Sequence, residues 1–154
     1  MNEAAHQLVA ALGLAPLPGE GGYFRATWRN DHASAILFLI TPEDFSAMHR
    51  IEQDEVWHFH AGDAVDHVQL DLRRGAALQT RLGPDLAAGD RPQAVVPAGT
   101  WQGARLAAGG KHGFALLGCT VAPPWDERGF RLGERTDLLA AFPAHADLIR
   151  DLTR

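Results

Sequence analysis

Met48-His49-Arg50-Ile51-Glu52-Gln53-Asp54-Glu55-Val56-Trp57-His58-Phe59-His60-Ala61-Gly62 is the densest patch of chemistry-bearing residues in a chain of 154. It holds three His, three carboxylates and a Trp, and Gly62 closes it. Its ends read as short strands, Ser46–Arg50 and Glu55–His60. Side chains alternate along a strand, so two registers compete for the second half. In one, Glu55, Trp57 and Phe59 point inward while Val56, His58 and His60 point out. In the other, His58 and His60 form an inward His-x-His pair suited to a metal. Trp57 and Phe59 carry large apolar areas that gain from burial, which favours the first register.

Outward from this patch the same texture continues. Runs of β-formers recur at Tyr23–Arg29, Ala35–Ile40, Asp66–Asp71, Leu78–Leu82, Gln93–Val96, Trp101–Leu106 and His112–Val121. Turn signals separate them, among them Asn30-Asp31, Arg74-Gly75, Gly83-Pro84-Asp85, Pro97-Ala98-Gly99 and Gly109-Gly110. Nine short strands with no long helix between them cannot form a parallel βαβ sheet. They predict an all-β antiparallel sandwich or barrel, a jelly roll, over about residues 21–122. A helix is expected before it, where Ala4, Ala5, Leu8, Val9 and Leu12 share one face and Gly13 is placed to end it. After Pro123-Pro124, two short helices are expected at Thr136–Phe142 and His145–Leu152, packed outside the barrel in an extension over about 134–154.

Length and composition bound the function. The chain has the size of one domain, so residues 1–154 are read as a single unit. Fourteen Lys and Arg against nineteen Asp and Glu leave a formal charge of −5, spread without cationic blocks. Nucleic-acid and anionic-membrane surfaces are therefore not expected as partners. The lone Cys119 cannot make an internal disulfide, and the Met1-Asn2-Glu3-Ala4 start is not a signal peptide. The expectation is a cytoplasmic protein. Cys119 lies in an apolar run with no neighbouring His or Lys, which reads as a buried, inert thiol.

A second patch is Val95-Val96-Pro97-Ala98-Gly99-Thr100-Trp101-Gln102, a strand, a Pro-x-Gly turn and a new strand that brings Gln102 to the barrel mouth. Together the two patches resemble the cupin superfamily, whose first motif runs G, five residues, H-x-H, three or four residues, E, six residues, G. His49 matches the first His, Glu55 the acid and Gly62 the closing Gly, while Ile51 stands at the second His. In the second motif Pro97-Ala98-Gly99 fits and Gln102 stands at the His position. With Gly21-Gly22-Tyr23-Phe24-Arg25 and Gly118-Cys119-Thr120-Val121-Ala122-Pro123, the pattern resembles the fifth cupin family, from Leu12 to about Pro143. The resemblance implies a cupin jelly roll similar to the nucleotide-sugar epimerase cupins, a homodimer, and no settled activity.

Metal-binding cupins use three His and one Glu. His49, Glu55 and Gln102 are what this chain offers, a poor set for a transition metal and a weak one for a hard divalent ion. No tightly bound cofactor is expected. The alternative is direct acid–base chemistry, with His49 as base, Glu55 as its orienter and Tyr23 as acid, as an isomerase or epimerase needs beside a carbonyl. Trp57, Trp101 and Phe38 are candidates for an aromatic wall around a sugar-like or other polar small molecule. Arg25, which shares a face with Tyr23, is a candidate anion clamp, as are Arg50 and Arg105. A non-catalytic metabolite-binding module is the second reading. A metal-dependent oxygenase, set back by Ile51 and Gln102, is the third.

Overall fold

A computed structural model describes residues 1–154. Helix α1 (Glu3–Leu12) begins where the Asn2 side chain accepts from the Ala5 N–H, and ends at Gly13 in the left-handed region. Strands follow at β1 (Ala15–Pro16), β2 (Tyr23–Arg29), β3 (Ser34–Ile40), β4 (Ser46–Arg50), β5 (Asp54–Gly62) and β6 (Val65–Asp71). The series continues with β7 (Ala76–Leu82), β8 (Gln93–Val96), β9 (Trp101–Leu106), β10 (Ala115–Ala122) and β11 (Arg131–Leu132). Helices α2 (Arg135–Ala141) and α3 (Ala146–Asp151) end the chain, joined by a 3-10 turn at Pro143–His145.

The strands form two antiparallel sheets, ordered β1-β2-β3-β10-β5-β8 and β11-β4-β9-β6-β7. This is the expected all-β jelly roll with short terminal helices. All nine anticipated strands are present, and two are added: β1 and β11, each of two residues and too short to read from alternation. The last long strand starts at Ala115 rather than His112. Residues 111–113 are instead drawn into a turn whose backbone N–H groups, from Lys111, His112 and Gly113, all donate to the Asp63 carboxylate.

Two apolar clusters hold the fold. The first fills the space between the sheets with Phe38, Ile40, Trp57, Val65, Leu82, Val96, Leu117 and Cys119, among others. The second lies on the other side of the β4–β9–β6 sheet, where Met48, Val68 and Leu70 pack against Leu138, Phe142, Ile149 and Leu152. The C-terminal helices thus cover the barrel from outside, as expected, and one sheet is buried on both faces. No helix is long and apolar enough to cross a membrane.

Candidate functional site

Between the sheets the apolar filling is interrupted by a cluster of polar side chains. Four strands supply it. β4 brings His49 and β5 brings Glu55 and Trp57. β6 brings His67, and β9 brings Gln102, whose Cα is the register partner of that of His49. On β5, Glu55 and Trp57 are buried, Phe59 packs on the inner core and His60 is exposed, so the register with the carboxylate and the indole inward is the one formed. His58 and His60 stack on each other on the outer face, where His58 meets Thr120 and Gln93.

The orientation of Gln102 follows from donor and acceptor chemistry. The indole N–H of Trp57 can only donate, and it lies 2.8 Å from Oε1 of Gln102. The amide nitrogen therefore faces Glu55, donating to its Oε2 at 2.5 Å. His67, 0% exposed, approaches the same Gln102 oxygen through Nε2 at 3.4 Å. Because that oxygen is an acceptor, His67 Nε2 carries the hydrogen and Nδ1 is left with a lone pair that has no partner. The imidazole also lies against the Trp57 ring, with centroids 4.9 Å apart. Burial pushes the His67 pKa down from 6.5 to about 4, with the charge of His49 adding to it, so the ring is neutral at physiological pH.

His49 is held from its outer edge. Its Nδ1 donates to the Ala47 carbonyl at 2.8 Å, and Oε1 of Glu20 lies 3.8 Å from the same nitrogen. Glu20 is itself buried and accepts from the Ser46 hydroxyl at 2.7 Å. Phe130, in the segment leading to β11, stacks on the His49 ring at 5.7 Å. With Nδ1 committed as a donor, the neutral imidazole keeps its lone pair on Nε2. Burial raises the Glu55 pKa above the usual carboxylate value and the negative charge of Glu20 adds to the effect, while His49 and Gln102 oppose it. Burial and the neighbouring Glu55 charge push the Cys119 thiol well up, in keeping with an inert sulfur.

The sequence-derived candidates divide cleanly. His49, Glu55, Trp57 and Gln102 come together, and Phe38 joins them through an edge-to-face contact with Trp57 at 5.8 Å. Tyr23 and Arg25 do not. Phe24 packs on the inner core opposite Phe38, so the residues on either side of it in β2 face outward. Arg25 is exposed near Gly13 at the end of α1. Trp101 also lies outside, packed against the second cluster with the Arg50 guanidinium 5.1 Å over its ring. Arg105 is paired with Asp151 at 2.6 Å on the surface. Glu55 is not the group on the outer edge of His49; the Ala47 carbonyl and Glu20 are. Glu20 and His67 belong to the cluster and escaped the sequence reading.

The residues present do not fit the three-His, one-Glu metal centre of the superfamily. Ile51 is an apolar, buried residue, and the Gln102 oxygen already accepts from Trp57 and faces the His67 N–H. His49 Nε2, the lone pair on His67 Nδ1 and the Glu55 carboxyl remain, but no three His, Cys, Asp or Glu side chains converge on one point.

A family described as Cupin_5, of the cupin superfamily (DUF985), matches residues 6–133. Among solved structures, a protein from Shewanella oneidensis is 34% identical, with a TM-score of 0.89 and 97% of each chain covered. A hypothetical protein from Leishmania major is 29% identical, also with a TM-score of 0.89, covering 97% of this chain and 98% of the other. A variant of Streptomyces PAC13 with uridine is 12% identical with a TM-score of 0.54, covering 79% and 84%, a likeness of fold alone. No curated protein matches the sequence.

Proposed function

We propose that this chain, which belongs to the Cupin_5 family of the cupin superfamily, binds a small polar metabolite inside its barrel and moves a proton on it. The observation that carries the reading is the burial of two acid–base groups, His49 from β4 and Glu55 from β5, in one inner cluster. His49 is fixed through Nδ1 and presents a bare Nε2, while burial raises the pKa of Glu55 above the usual carboxylate value. Such a pair can take a proton from a carbon beside a carbonyl and return one to it, the chemistry of an isomerase or epimerase. The Glu20 carboxylate lies 3.8 Å from Nδ1, on the edge of the ring away from Nε2. Glu55 takes the acid role for which Tyr23 is misplaced. Gln102 holds the Glu55 carboxyl, and Trp57, braced edge-to-face by Phe38, supplies an apolar ring beside it.

A metabolite-binding module without turnover is the second reading. It is favoured by Gln102, whose amide bridges the Trp57 indole and the Glu55 carboxyl in a fixed polar network of the kind that recognises a ligand.

The test has two steps. Thermal-shift screening of free sugars, nucleotide sugars, keto acids and nucleosides finds the ligand; uridine belongs in the set because Streptomyces PAC13 is described with it. A ligand at 100 times its Kd raises stability by about 2.7 kcal/mol. The best ligand is then incubated with the protein in D2O and followed by proton NMR. Exchange of a carbon-bound proton, abolished in His49→Gln and Glu55→Gln, is the expected result. Binding without exchange selects the module.

A further inference from the structure

The far side of the same sheet carries a second polar feature, unrelated to the barrel interior. A groove of about 510 Å³ runs along the barrel rim between the end of β4, the β6–β7 turn and the β8–β9 turn. Its walls carry three guanidinium groups, Arg50, Arg73 and Arg74, in a chain whose net charge is −5. The one carboxylate in the lining, Asp71, is already engaged: its Oδ1 accepts the Arg73 backbone N–H at 2.8 Å and its Oδ2 lies 3.7 Å from Arg74 Nε.

Arg50 and Arg73 are the informative pair. Neither guanidinium forms an ion pair or a hydrogen bond within the chain, so both retain their full set of donors. Arg50 is also half-buried, with its guanidinium carbon 5.1 Å over the Trp101 ring, a cation–π contact that restrains the side chain. Thr100 lines the same groove. The turn's own amides are spent, since Gly99 N–H donates to Ile51 and Thr100 N–H to Pro97. Recognition here therefore falls to side chains. Arg50 at the end of β4 and Arg73 in the β6–β7 turn line one groove with Thr100 of the β8–β9 turn, and guanidinium forks are suited to anions with several oxygens.

We infer that this groove binds the phosphate or diphosphate group of a small molecule through Arg50, Arg73 and Thr100. The site is distinct from the barrel cluster: His49 and Arg50 are consecutive on β4 and so point to opposite faces of the sheet. It stands whether or not the barrel is catalytic.

Inorganic pyrophosphate is the probe, titrated calorimetrically and by tryptophan fluorescence, since Trp101 lies under Arg50. Wild type is expected to saturate in the low-millimolar range or below, and more weakly at high salt. Arg50→Ala and Arg73→Ala should each weaken binding about tenfold, the loss of one charge-assisted contact. Arg50→Lys, which keeps the charge and loses the fork, should also weaken it. Arg105→Ala, which removes a surface cation paired with Asp151 outside this groove, should leave it unchanged. Absence of saturation in wild type would overturn the inference, as would equal binding by the Arg50 and Arg73 variants. Citrate binding tighter than pyrophosphate would overturn the phosphate assignment.

Discussion

His67 couples the stability of the barrel to pH in a way that can be worked out from its burial. The imidazole is 0% exposed, its only hydrogen-bond partner is the Gln102 oxygen, and no carboxylate pairs with it. Its pKa falls from 6.5 to about 4. The unfolded chain therefore binds a proton at His67 near pH 6.5, whereas the folded chain resists until about 4. Between those values the unfolded state holds more protons, so stability rises with pH and is lost as pH falls through the window. At about 1.4 kcal/mol per pH unit the full contribution is about 3 kcal/mol. The perturbation is His67→Gln, and the assay is urea unfolding of wild type and variant at a series of pH values from about 7.5 to 4. Other titrating groups are common to both proteins, so the difference between them isolates His67. Whatever gap exists at pH 7.5, it should move by about 3 kcal/mol in the variant's favour on acidification. A gap that stays constant across the range, together with an imidazole titrating near its ordinary value by NMR, would refute the reasoning.

Glu55 has the opposite dependence: with its pKa raised by burial, its contribution is most favourable at low pH and is lost as pH rises through the folded value. Glu55→Gln should therefore gain stability relative to wild type toward alkaline pH, read from the same unfolding series. Trp57→Phe removes the N–H that orients Gln102 and should cost about 1–3 kcal/mol for the broken buried hydrogen bond, before any loss of packing. Gly22→Ala places a Cβ 2.8 Å from the Phe38 ring and 2.9 Å from the Leu39 carbonyl at φ +73, and should destabilise by more than about 2 kcal/mol in thermal or urea unfolding. Phe142→Ala opens the outer cluster beneath Met48, Val68 and Leu70 and should cost about 3–5 kcal/mol by chemical denaturation.

The fold was legible because the punctuation is local. Turn residues cut the chain into strands, and on β5 the bulk of Trp57 and Phe59 decided which face turned inward. The half of the site carried by His49, Glu55 and Gln102 was legible for a related reason: each lies beside a turn motif that fixes its place at the barrel rim. Glu20 was not. It sits in the Pro- and Gly-rich stretch before β2, and only folding brings it to Ser46, 26 residues away. His67 was hidden because its strand is buried on both sides: Val65 faces the inner core and Val68 and Leu70 the outer cluster, which erases the polar–apolar contrast that marks an inward face. The same covering of one sheet by α2 and α3 took Trp101 away from the barrel wall, since an aromatic at a strand start gives no sign of which apolar face will receive it. Tyr23 was misread because the Gly21-Gly22 turn marked the strand and not its register. Phe24, one residue on, takes the inward position against Phe38.

The tautomer of His49 tests the account at its base. Long-range proton–nitrogen correlation spectra of the imidazoles, assigned by comparison with His49→Gln, distinguish a protonated Nδ1 from a protonated Nε2. Donation to the Ala47 carbonyl requires the hydrogen on Nδ1 and a free lone pair on Nε2 in the neutral ring. A hydrogen fixed on Nε2 instead would leave no base facing the barrel interior, and would contradict the proton-transfer role assigned to His49 and Glu55.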